Sequence, residues 1–339
     1  MKFVIDSAIP FIKGIFENYA EVQYCEGESI CTETVRDADA LVIRSRTGCS
    51  RALLEESKVK IISSVTTGTV HIDRDWCESR GIYVTHSAGS NAGAVMNYVF
   101  SALYGAAARK GIKFNEANFG IIGNSDSGKR VAAMAGKLGF RILCNEPVEN
   151  GKLCSLEQLL GEADIVSLHT GWNEGGECIA DAVFFERMKP GAIFINTSDG
   201  RLVDENALLE NRNKLGAVII DTWQGEPDVN LDLLEAADIA TPHIAGYSYM
   251  SKQLSTAMAV RSVARFFSIQ ELYDYFPKET VKGLESVKLD FRGMNQGQIT
   301  SCIQYNYPVF TDDFMFRMTP REFRQLRKNY KYRKEFYTD

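Results

Sequence analysis

Short β-rich runs alternate with helical patterns along most of this chain, and this alternation limits the possible fold more than any other feature. Amphipathic segments such as Lys129–Leu138 and Leu156–Gly161 separate the runs. Strands that alternate with helices pair in parallel through right-handed crossovers, and the helices then cover both faces of the sheet. The sequence therefore predicts an α/β protein. The predicted strands are Lys2–Ile5, Ala40–Ile43, Ile61–Ser64, Tyr83–Thr85, Asn118–Ile122, Arg141–Cys144, Asp164–Leu168, Ala192–Asn196, Ala217–Asp221 and Ile239–Thr241.

The strands fall into two groups, which predicts two α/β domains. A long helical segment, Ala92–Lys110, separates the groups, and a second one, Met250–Phe267, is placed to return the chain to the first domain. After Thr280 the residues change to Lys, Arg, Phe and Tyr without strand alternation, so a third, smaller unit is expected there. The predicted boundaries are residues 1–92 with 249–275 for the first domain, 93–248 for the second and 280–339 for the third.

The charge balance argues against a nucleic-acid-binding protein. The net charge of the 339 residues is −6, and a mildly acidic chain does not attract phosphate backbones through bulk charge. A basic stretch near the end is therefore interpreted as a solvated dimerisation helix and not as a nucleic-acid site. Its basic residues are Arg317, Arg321, Arg324, Arg327, Lys328, Lys331, Arg333 and Lys334.

Neither a membrane segment nor a metal site is expected. The first residues, Met1–Asp6, reach an acid before a signal-like apolar segment can form, and the apolar segment Ala92–Ala108 contains Asn97. That segment is shorter than the ~20 residues needed to cross a membrane. The eight cysteines form no CxxC pair and no metal-ligand spacing, which is typical of reduced thiols in the cytoplasm.

A glycine turn at residues 118–130 is typical of a dinucleotide-binding unit. Gly123 and Gly128 occupy the first and third positions of a G-x-G-x-x-G pattern, and Ser125 occupies the second. The first glycine makes the turn, the second admits the pyrophosphate, and the third allows close packing of helix on strand. Glu146 follows Gly128 by eighteen residues, at the distance of the acid that binds the adenosine ribose and repels NADP. The pattern predicts NAD as the cofactor.

Two further residues of this turn, Asp126 and Ser127, belong to the predicted cofactor site. Asp126 places a negative charge where the cofactor phosphates would lie. An acid in the first turn of a helix is also stabilised by the helix dipole, so a purely structural role explains Asp126 equally well.

A carboxylate and an imidazole each follow an apolar run. Glu226 lies five residues past a run that ends at Asp221, and His243 lies two residues past a run that ends at Thr241. Ligands of open parallel sheets bind just outside the carboxyl ends of the strands. A Glu next to a His raises the pKa of the imidazole and stabilises the imidazolium that forms when the His takes a proton. The pair predicts removal of a hydroxyl proton while hydride leaves for a nicotinamide.

With these motifs the chain resembles the D-2-hydroxyacid dehydrogenases over essentially its whole length. The resemblance implies two doubly wound parallel-sheet domains, a flavodoxin-like substrate domain and a Rossmann NAD domain, with a small C-terminal dimerisation region. It also implies a homodimer that oxidises a small phosphorylated 2-hydroxy acid with NAD. The matching segments are Ala40–Thr47, Thr66–Asp73, Ser90–Ala92, Asp221–Pro227, Thr241–Tyr247 and Phe323–Tyr330.

The resemblance further implies roles for individual residues. His243 would be the catalytic acid/base and Glu226 its partner, while Glu146 would bind the adenosine ribose and Asp221 would lie near the nicotinamide. The substrate would face Ser45, Thr66 and Tyr247. The cofactor would be bound by Gly123, Ser125, Asp126, Ser127, Gly128, Glu146, Thr170, Asp221 and Gly246.

One loop departs from the family at a catalytic position. The family has an arginine after the strand Ala192–Asn196, and this arginine grips the substrate carboxylate; here Asp199 stands in its place. Loss of such a charge-assisted pair costs ~3 kcal/mol, and ~1.4 kcal/mol is tenfold in rate. Arg201 is a candidate replacement because residues i and i+2 share a face of extended backbone. The alternative, which the sequence favours, is that Arg201 lies on the surface. Arg44 and Arg46 are further candidates, for this group or for the phosphate.

Three functions are therefore open on the sequence alone. The first is an active dehydrogenase of this family. The second is a non-catalytic descendant that binds a dinucleotide or a phosphorylated acid as a sensor, and the third is a dehydrogenase whose substrate lacks the carboxylate. The other histidines, His71, His86 and His169, are interpreted as structural, with His169 bonded to backbone near the cofactor.

Overall fold

The computed structural model describes residues 1–172, 176–278 and 281–338, and the chain forms two compact units. The first unit comprises Met1–Asn91 and Tyr249–Lys282, and the second comprises Ala92–Ser248 and Gly283–Asp339. Thr280, where we expected a boundary, lies outside the described residues. Among the described helices none is long and apolar enough to cross a membrane.

The regular elements follow the predicted alternation of strands and helices. The strands are β1 (Lys2–Asp6), β2 (Glu21–Cys25), β3 (Ala40–Ile43), β4 (Ile61–Ser64), β5 (Tyr83–His86), β6 (Asn118–Ile122), β7 (Arg141–Cys144), β8 (Lys152–Leu153), β9 (Ile165–Leu168), β10 (Ile193–Asn196), β11 (Ala217–Ile220), β12 (Ile239–Ala240), β13 (Val287–Lys288) and β14 (Phe336–Tyr337). The α-helices are α1 (Thr32–Val35), α2 (Arg51–Leu54), α3 (Arg74–Ser79), α4 (Ala92–Lys110), α5 (Asp126–Lys137), α6 (Leu156–Glu162), α7 (Ala182–Arg187), α8 (Glu205–Glu210), α9 (Leu231–Ala236), α10 (Tyr249–Phe266), α11 (Gln296–Asn306), α12 (Val309–Met318) and α13 (Phe323–Lys328).

The first unit is a five-stranded parallel sheet in the order β2-β1-β3-β4-β5, which is the flavodoxin-like order. Its central strands β3 and β4 are buried on both faces, because one hydrophobic cluster lies on each side of the sheet. Helix α10 packs on β4 and supplies Ala259, Val260 and Val263 to one of these clusters. The second long helix therefore returns the chain to the first sheet, as we predicted.

The second unit contains a seven-stranded parallel sheet in the order β12-β11-β10-β9-β6-β7-β8. The strand order reverses between β6 and β9, where the chain first builds outward through β7 and β8 and then returns to continue through β9 on the other side. This is the Rossmann arrangement, and its switch point is where such sheets bind ligands. The predicted fold class, two doubly wound parallel sheets, is confirmed.

The C-terminal residues pack against the second unit instead of forming a separate body. Helix α11 packs on α4, and α12 packs on α4 and β12. Ile299, Ile303 and Val309 enter the same hydrophobic cluster as α4 and the sheet, and the Ser101 hydroxyl donates to the carbonyl of Tyr307 at 2.6 Å. We expected a third unit here; the helices instead bury their apolar face on the surface of α4 and belong to the second unit.

A third, two-stranded parallel sheet of β13 and β14 closes the C-terminal region. Asn97, in the middle of α4, fixes its second strand. The Asn97 amide donates to the carbonyl of Phe336 at 2.8 Å, and its oxygen accepts from the Phe336 N–H at 2.7 Å. Both halves of a buried amide are thus satisfied by one backbone residue, which explains a polar side chain in an otherwise apolar helix.

Candidate active site

His243 and Glu226 form the central pair of the site. The Nδ1 atom of His243 lies 2.8 Å and 3.0 Å from the two carboxylate oxygens of Glu226. A carboxylate only accepts, so Nδ1 carries the proton and Nε2 is the nitrogen left to exchange a proton with a ligand. The sequence prediction that these two side chains come together agrees with this geometry.

The charge of Glu226 is favoured by its neighbours. Burial raises the pKa of this carboxyl, but the hydrogen bond and charge of His243, and then the charge of Arg327, outweigh burial and lower the pKa below its ordinary value. The carboxylate therefore stays ionised near neutral pH and stabilises positive charge on the imidazole. That is the requirement for a general base that becomes an imidazolium during the reaction.

The indole of Trp223 joins the two loops that carry this pair. Trp223 is 1% exposed, and its Nε1–H donates to the carbonyl of Thr241 at 2.9 Å. Trp223 lies three residues before Glu226, and Thr241 lies two residues before His243. One hydrogen bond thus ties the loop after β11 to the loop after β12. Trp223 lies within the matching segment Asp221–Pro227, but its position in the sequence gives no signal of this role.

A buried carboxylate holds the loop that carries His243, residues 241–247, which we call the His243 loop. Asp221 accepts from the Thr241 hydroxyl at 2.6 Å, from the Ile244 N–H at 2.8 Å and from the Ala245 N–H at 2.9 Å. Burial raises the pKa of Asp221, and the charge of His243 and these hydrogen bonds act against that rise. We expected Asp221 near the nicotinamide. Its side chain is almost fully buried, and both oxygens are engaged by the loop.

His243 itself has a strained backbone. Its φ is 55°, in the left-handed region, where a residue with a Cβ costs on the order of 1–3 kcal/mol and persists only if its surroundings hold it. The His243 N–H donates to the carbonyl of Asp221 at 2.7 Å, which adds to the contacts of the Asp221 side chain. Strain of this kind clusters at functional sites, and here it falls on the predicted acid/base.

A second buried charge contacts the same loop from residues 283–338, the C-terminal segment of the second unit. Arg333 is 8% exposed and donates from Nη1 to the carbonyls of Ile244 and Tyr247 at 3.0 and 2.8 Å, and from Nη2 to the carbonyl of Ala245 at 2.5 Å. We expected Arg333 to lie on a solvated helix. That expectation is wrong, because α13 ends at Lys328 and the guanidinium is buried against the loop carbonyls.

Arg317 is another basic residue of the tail that bonds to protein groups, and it is only partly exposed. Its Nη2 donates to the carbonyl of Ala237 at 2.8 Å, its Nε donates to Asp313 at 2.9 Å, and its Nη1 donates to the carbonyl of Leu234. The spacing of charges along the sequence gives no signal that Arg333 is buried or that Arg317 is partly buried, because their partners include distant backbone carbonyls.

Asp199, at the family's arginine position, is neutralised within its own loop. The Arg201 Nε and Nη2 atoms lie 2.9 and 2.8 Å from the two oxygens of Asp199. Burial raises the pKa of Asp199, but Arg201 and, more weakly, the charge of His243 lower it overall. The guanidinium also lies over the ring of Trp172, with its carbon 5.1 Å from the ring centroid. Asp199, His243 and Arg201 therefore share one electrostatic neighbourhood.

The glycine turn is shaped to admit a dinucleotide at the switch point. Gly123 has φ 95°, and a Cβ there would lie 2.5 Å from the carbonyl oxygen of His169. A Cβ on Gly128 would lie 2.9 Å from the Cβ of His169 and 2.9 Å from the Gly123 carbonyl oxygen. The start of α5 therefore packs directly on the ends of β6 and β9, with its backbone N–H groups facing the region where a phosphate binds.

The other predicted cofactor residues surround this turn. Ser125 caps α5 by accepting from the Gly128 N–H at 3.3 Å, and its hydroxyl lies 3.0 Å from that of Ser127. Asp126 is exposed in the first turn of α5. Glu146 is half-buried two residues past β7, beside Gly123 if the parallel register of β6 and β7 is extended. Thr170 is half-buried at the end of β9, after His169. These residues fit an NAD site, with Ser125 added near the phosphates.

Gly246 and Tyr247 close the His243 loop and are half-buried. The Tyr247 ring packs against Tyr330 and Tyr332, with centroid separations of 5.9 and 6.3 Å, and the guanidinium of Arg327 lies over it at 5.6 Å. The predicted substrate residue Tyr247 thus also belongs to the packing of the C-terminal segment.

The remaining predicted substrate residues lie in the first unit, at the carboxyl ends of adjacent strands. Ser45 follows β3 and is exposed; Thr66 follows β4 and its hydroxyl lies 2.6 Å from that of Ser64. Arg44 is held by buried Asp6 through bonds of 2.7 and 3.1 Å, and exposed Arg46 pairs with Glu28. Both candidate cations of this unit therefore have acidic partners.

Comparison with known proteins supports this interpretation. Residues 94–245 match the family described as D-isomer specific 2-hydroxyacid dehydrogenase, NAD binding domain. The chain is 37% identical to the erythronate-4-phosphate dehydrogenase of Bacteroides fragilis, over 99% of this chain and 97% of that protein. It is 34% identical to the enzyme of the same name from Escherichia fergusonii, over 99% and 92% of the two chains.

Solved structures show the same fold. D-lactate dehydrogenase from Aquifex aeolicus, complexed with NAD and lactic acid, aligns with TM-score 0.66 and 23% identity over 83% of this chain and 100% of that one. NAD-bound 3-phosphoglycerate dehydrogenase from Entamoeba histolytica aligns with TM-score 0.68 and 24% identity over 83% and 99%. The second unit is thus an NAD-binding domain, and the comparisons give no support to a non-catalytic sensor.

The buried imidazole of His169 predicts a loss of stability in mild acid. Burial lowers the pKa of His169 from 6.5 to about 3, so between these values the unfolded chain binds a proton that the folded chain does not. Stability therefore falls as pH drops below 6.5, by ~2 kcal/mol at pH 5 from this group alone. Urea unfolding of wild type and His169→Gln at pH 7 and pH 5 measures this contribution.

The variant should lose less stability than wild type between the two pH values, whereas the difference between wild type and variant should stay constant from pH 7 to pH 8. Equal losses at pH 5 would contradict a neutral, buried His169.

Proposed function

The chain belongs to the D-2-hydroxyacid dehydrogenase family, and from its likeness to erythronate-4-phosphate dehydrogenases we propose that it oxidises the C2 hydroxyl of 4-phospho-D-erythronate with NAD. The product is 3-hydroxy-2-oxo-4-phosphooxybutanoate, an intermediate in pyridoxal 5′-phosphate biosynthesis. The observation that carries this proposal is the pair of His243 and Glu226, because its geometry leaves Nε2 as a proton acceptor supported by an ionised carboxylate.

Proton removal at Nε2 and loss of hydride from C2 together convert the hydroxyl to a carbonyl. The C2 hydroxyl proton passes to His243, and Glu226 stabilises the resulting imidazolium through Nδ1–H. NAD bound at the glycine turn would supply the acceptor for the hydride, which leaves C2 with both electrons of the C2–H bond. In the reverse direction the same Nε2 returns the proton to the 2-oxo group. The imidazole must therefore be held in one orientation throughout, which is what the contacts of Asp221 and Trp223 favour.

Arg201 supplies the positive charge that binds the substrate carboxylate in this proposal, and Asp199 orients it. Two contacts support this. Asp199 and Arg201 neutralise each other through two hydrogen bonds in a fork-like pair. The charge of His243 also lowers the pKa of the Asp199 carboxyl. The position of the guanidinium over the Trp172 ring further limits its orientations. An oriented arginine beside the imidazole would perform the task of the arginine that the family places two residues earlier.

The exposed face of α12 supports a homodimer. Phe314, Met315 and Met318 are 61%, 49% and 64% exposed and lie on a helix that is otherwise anchored to the second unit. Contiguous exposed apolar side chains of this size mark association surfaces in soluble proteins. We assign this face to a second copy of the chain. The eight free thiols support a reducing compartment, the cytoplasm, which cell fractionation would test.

The assigned reaction predicts a dependence on both members of the central pair. His243→Asn should lower kcat by about 10²–10⁴ because general base catalysis is lost, and Glu226→Gln should lower it by a smaller factor. The measurement is the absorbance of reduced nicotinamide when purified protein meets 4-phospho-D-erythronate and NAD, with and without a 2-oxo acid acceptor. Glu235→Gln, at an exposed carboxylate of α9, is the matched control. Turnover by His243→Asn at the wild-type rate would disprove the assignment.

The role of Arg201 predicts a change in substrate affinity. Arg201→Gln should raise KM for the acid at least tenfold, since a hydrogen bond to a charged group contributes ~1.5–3 kcal/mol. That variant also leaves Asp199 unpaired. The double variant Asp199→Asn/Arg201→Gln removes the repulsion between Asp199 and the substrate carboxylate, and it should still show a raised KM.

Arg187→Gln, whose guanidinium makes only a surface pair with Glu157, is the control and should bind normally. A wild-type KM in the double variant would show that another cation binds the carboxylate.

The assigned dimer face predicts the mass in solution. Light scattering should give a wild-type particle of twice the 37.9 kDa chain mass, and Met318→Lys should shift it toward the monomer by placing a charge in the apolar contact. Val183→Lys, at a 49% exposed position of α7, should leave the dimer intact. A monomeric wild type, or a dimer that is insensitive to Met318→Lys, would refute the assignment.

A further inference from the structure

We propose that Arg333 is a positioning residue for catalysis, which holds the backbone of the His243 loop so that the imidazole keeps its working orientation. The inference rests on the proposed function, in which His243 is the acid/base. No reacting group contacts Arg333 itself; it acts through the carbonyls of Ile244, Ala245 and Tyr247.

The loop is held from two sides by opposite charges. The Asp221 carboxylate accepts from the N–H groups of Ile244 and Ala245, while the Arg333 guanidinium donates to the carbonyls of the same two residues. Ile244 and Ala245 are therefore each hydrogen-bonded through both the N–H and the carbonyl. Because they directly follow His243, they leave little freedom for the left-handed φ of that residue to relax.

The surroundings of Arg333 are built to keep it charged and fixed. Its guanidinium carbon lies 4.2 Å from the centroid of the Tyr307 ring, and its Nη1 donates to the Tyr330 hydroxyl at 3.2 Å. That hydroxyl donates in turn to Asp312 at 2.9 Å. Burial lowers the pKa of Arg333, but Tyr307, Tyr330 and Asp312 outweigh it, and the pKa lies above its usual value.

The donors of Arg333 are directed at the loop rather than spread over the core. Its two Nη atoms contact three loop carbonyls, the Tyr330 hydroxyl and the carbonyl of Ala94 at the start of α4, while its Nε has no partner among the described residues. A planar fork can bond several carbonyls at fixed angles, which the single ammonium of lysine cannot do. The contact thus depends on guanidinium geometry as well as on charge.

A second arginine of the same unit, Arg317, provides a control for bonds to backbone carbonyls, and its side chain is 28% exposed. It donates to two backbone carbonyls, those of Leu234 and Ala237, but these precede β12, whereas the His243 loop follows that strand. Loss of Arg317 should therefore lower stability without moving His243.

The experiment compares Arg333→Met and Arg333→Lys with Arg317→Met in the full-length protein. Kinetic constants with 4-phospho-D-erythronate and NAD are expressed per folded molecule, measured at a temperature below each unfolding transition. Both Arg333 variants should lose about ten- to a hundredfold in kcat with little change in KM, since small misplacements of a catalytic group have effects of this order. Arg317→Met should retain the wild-type kcat. Added guanidinium at millimolar concentration should restore part of the activity of Arg333→Met and of no other variant.

The position of the imidazole is also read without turnover. The chain has four histidines, so the ring signal of His243 in an NMR spectrum can be assigned by its loss in His243→Gln. The signal should move in the Arg333 variants and stay in place in Arg317→Met. An unmoved signal together with wild-type kcat in the Arg333 variants would overturn the proposal, and Arg333→Lys decides the matter if Arg333→Met does not fold. If wild type fails to oxidise 4-phospho-D-erythronate, the proposed substrate is wrong, and the His243 signal still decides the role of Arg333.

Discussion

The buried carboxylate of Asp221 is the contact on which the rest of the site depends. It follows β11 directly, and the loop it holds follows β12, which pairs with β11 in parallel. The carboxyl ends of neighbouring parallel strands meet at one edge of a sheet, so an acid at the end of one strand can accept from the loop of the next. Asp221 accepts from a side chain and two backbone N–H groups at once. The energy that these bonds return can hold His243 in a backbone conformation that it would not adopt alone.

The same edge of the sheet explains why the glycine turn and the predicted acid/base belong to one unit. The glycine turn lies at the ends of β6 and β9, where the strand order reverses, and the His243 loop lies further along that edge. Close packing of Gly123 and Gly128 against His169 brings the start of α5 onto the sheet. His169 must be neutral in this position, because burial lowers its pKa to about 3. We predicted a structural His169 with a bond to backbone; the ring is buried, but its nitrogens lie 2.9 Å from the Ser167 hydroxyl and 3.4 Å from the Ser127 hydroxyl.

Most of the fold could be predicted because it rests on local patterns. Apolar runs of three to five residues predicted ten strands of the two large sheets to within a residue at each end. The strands β2 and β8 were missed, since β2 is a partly exposed edge strand with polar residues and β8 has two exposed residues. The pairing of His243 with Glu226 was predictable from motifs that follow two strands. The roles of Trp223 and Arg333 were not, because each depends on a backbone carbonyl far away in the chain, which no spacing reveals.

The C-terminal segment is part of the catalytic unit because its polar contacts converge on the elements that frame His243. Asn97 of α4 fixes Phe336, Ser248 donates to Glu335 at 2.5 Å, and Arg333 reaches the loop between them. Each contact joins a buried polar group to a partner that only the segment provides, so removal of the segment would leave several unsatisfied groups at once. The geometry of His243 therefore depends on the C-terminal segment as well as on the loops after β11 and β12.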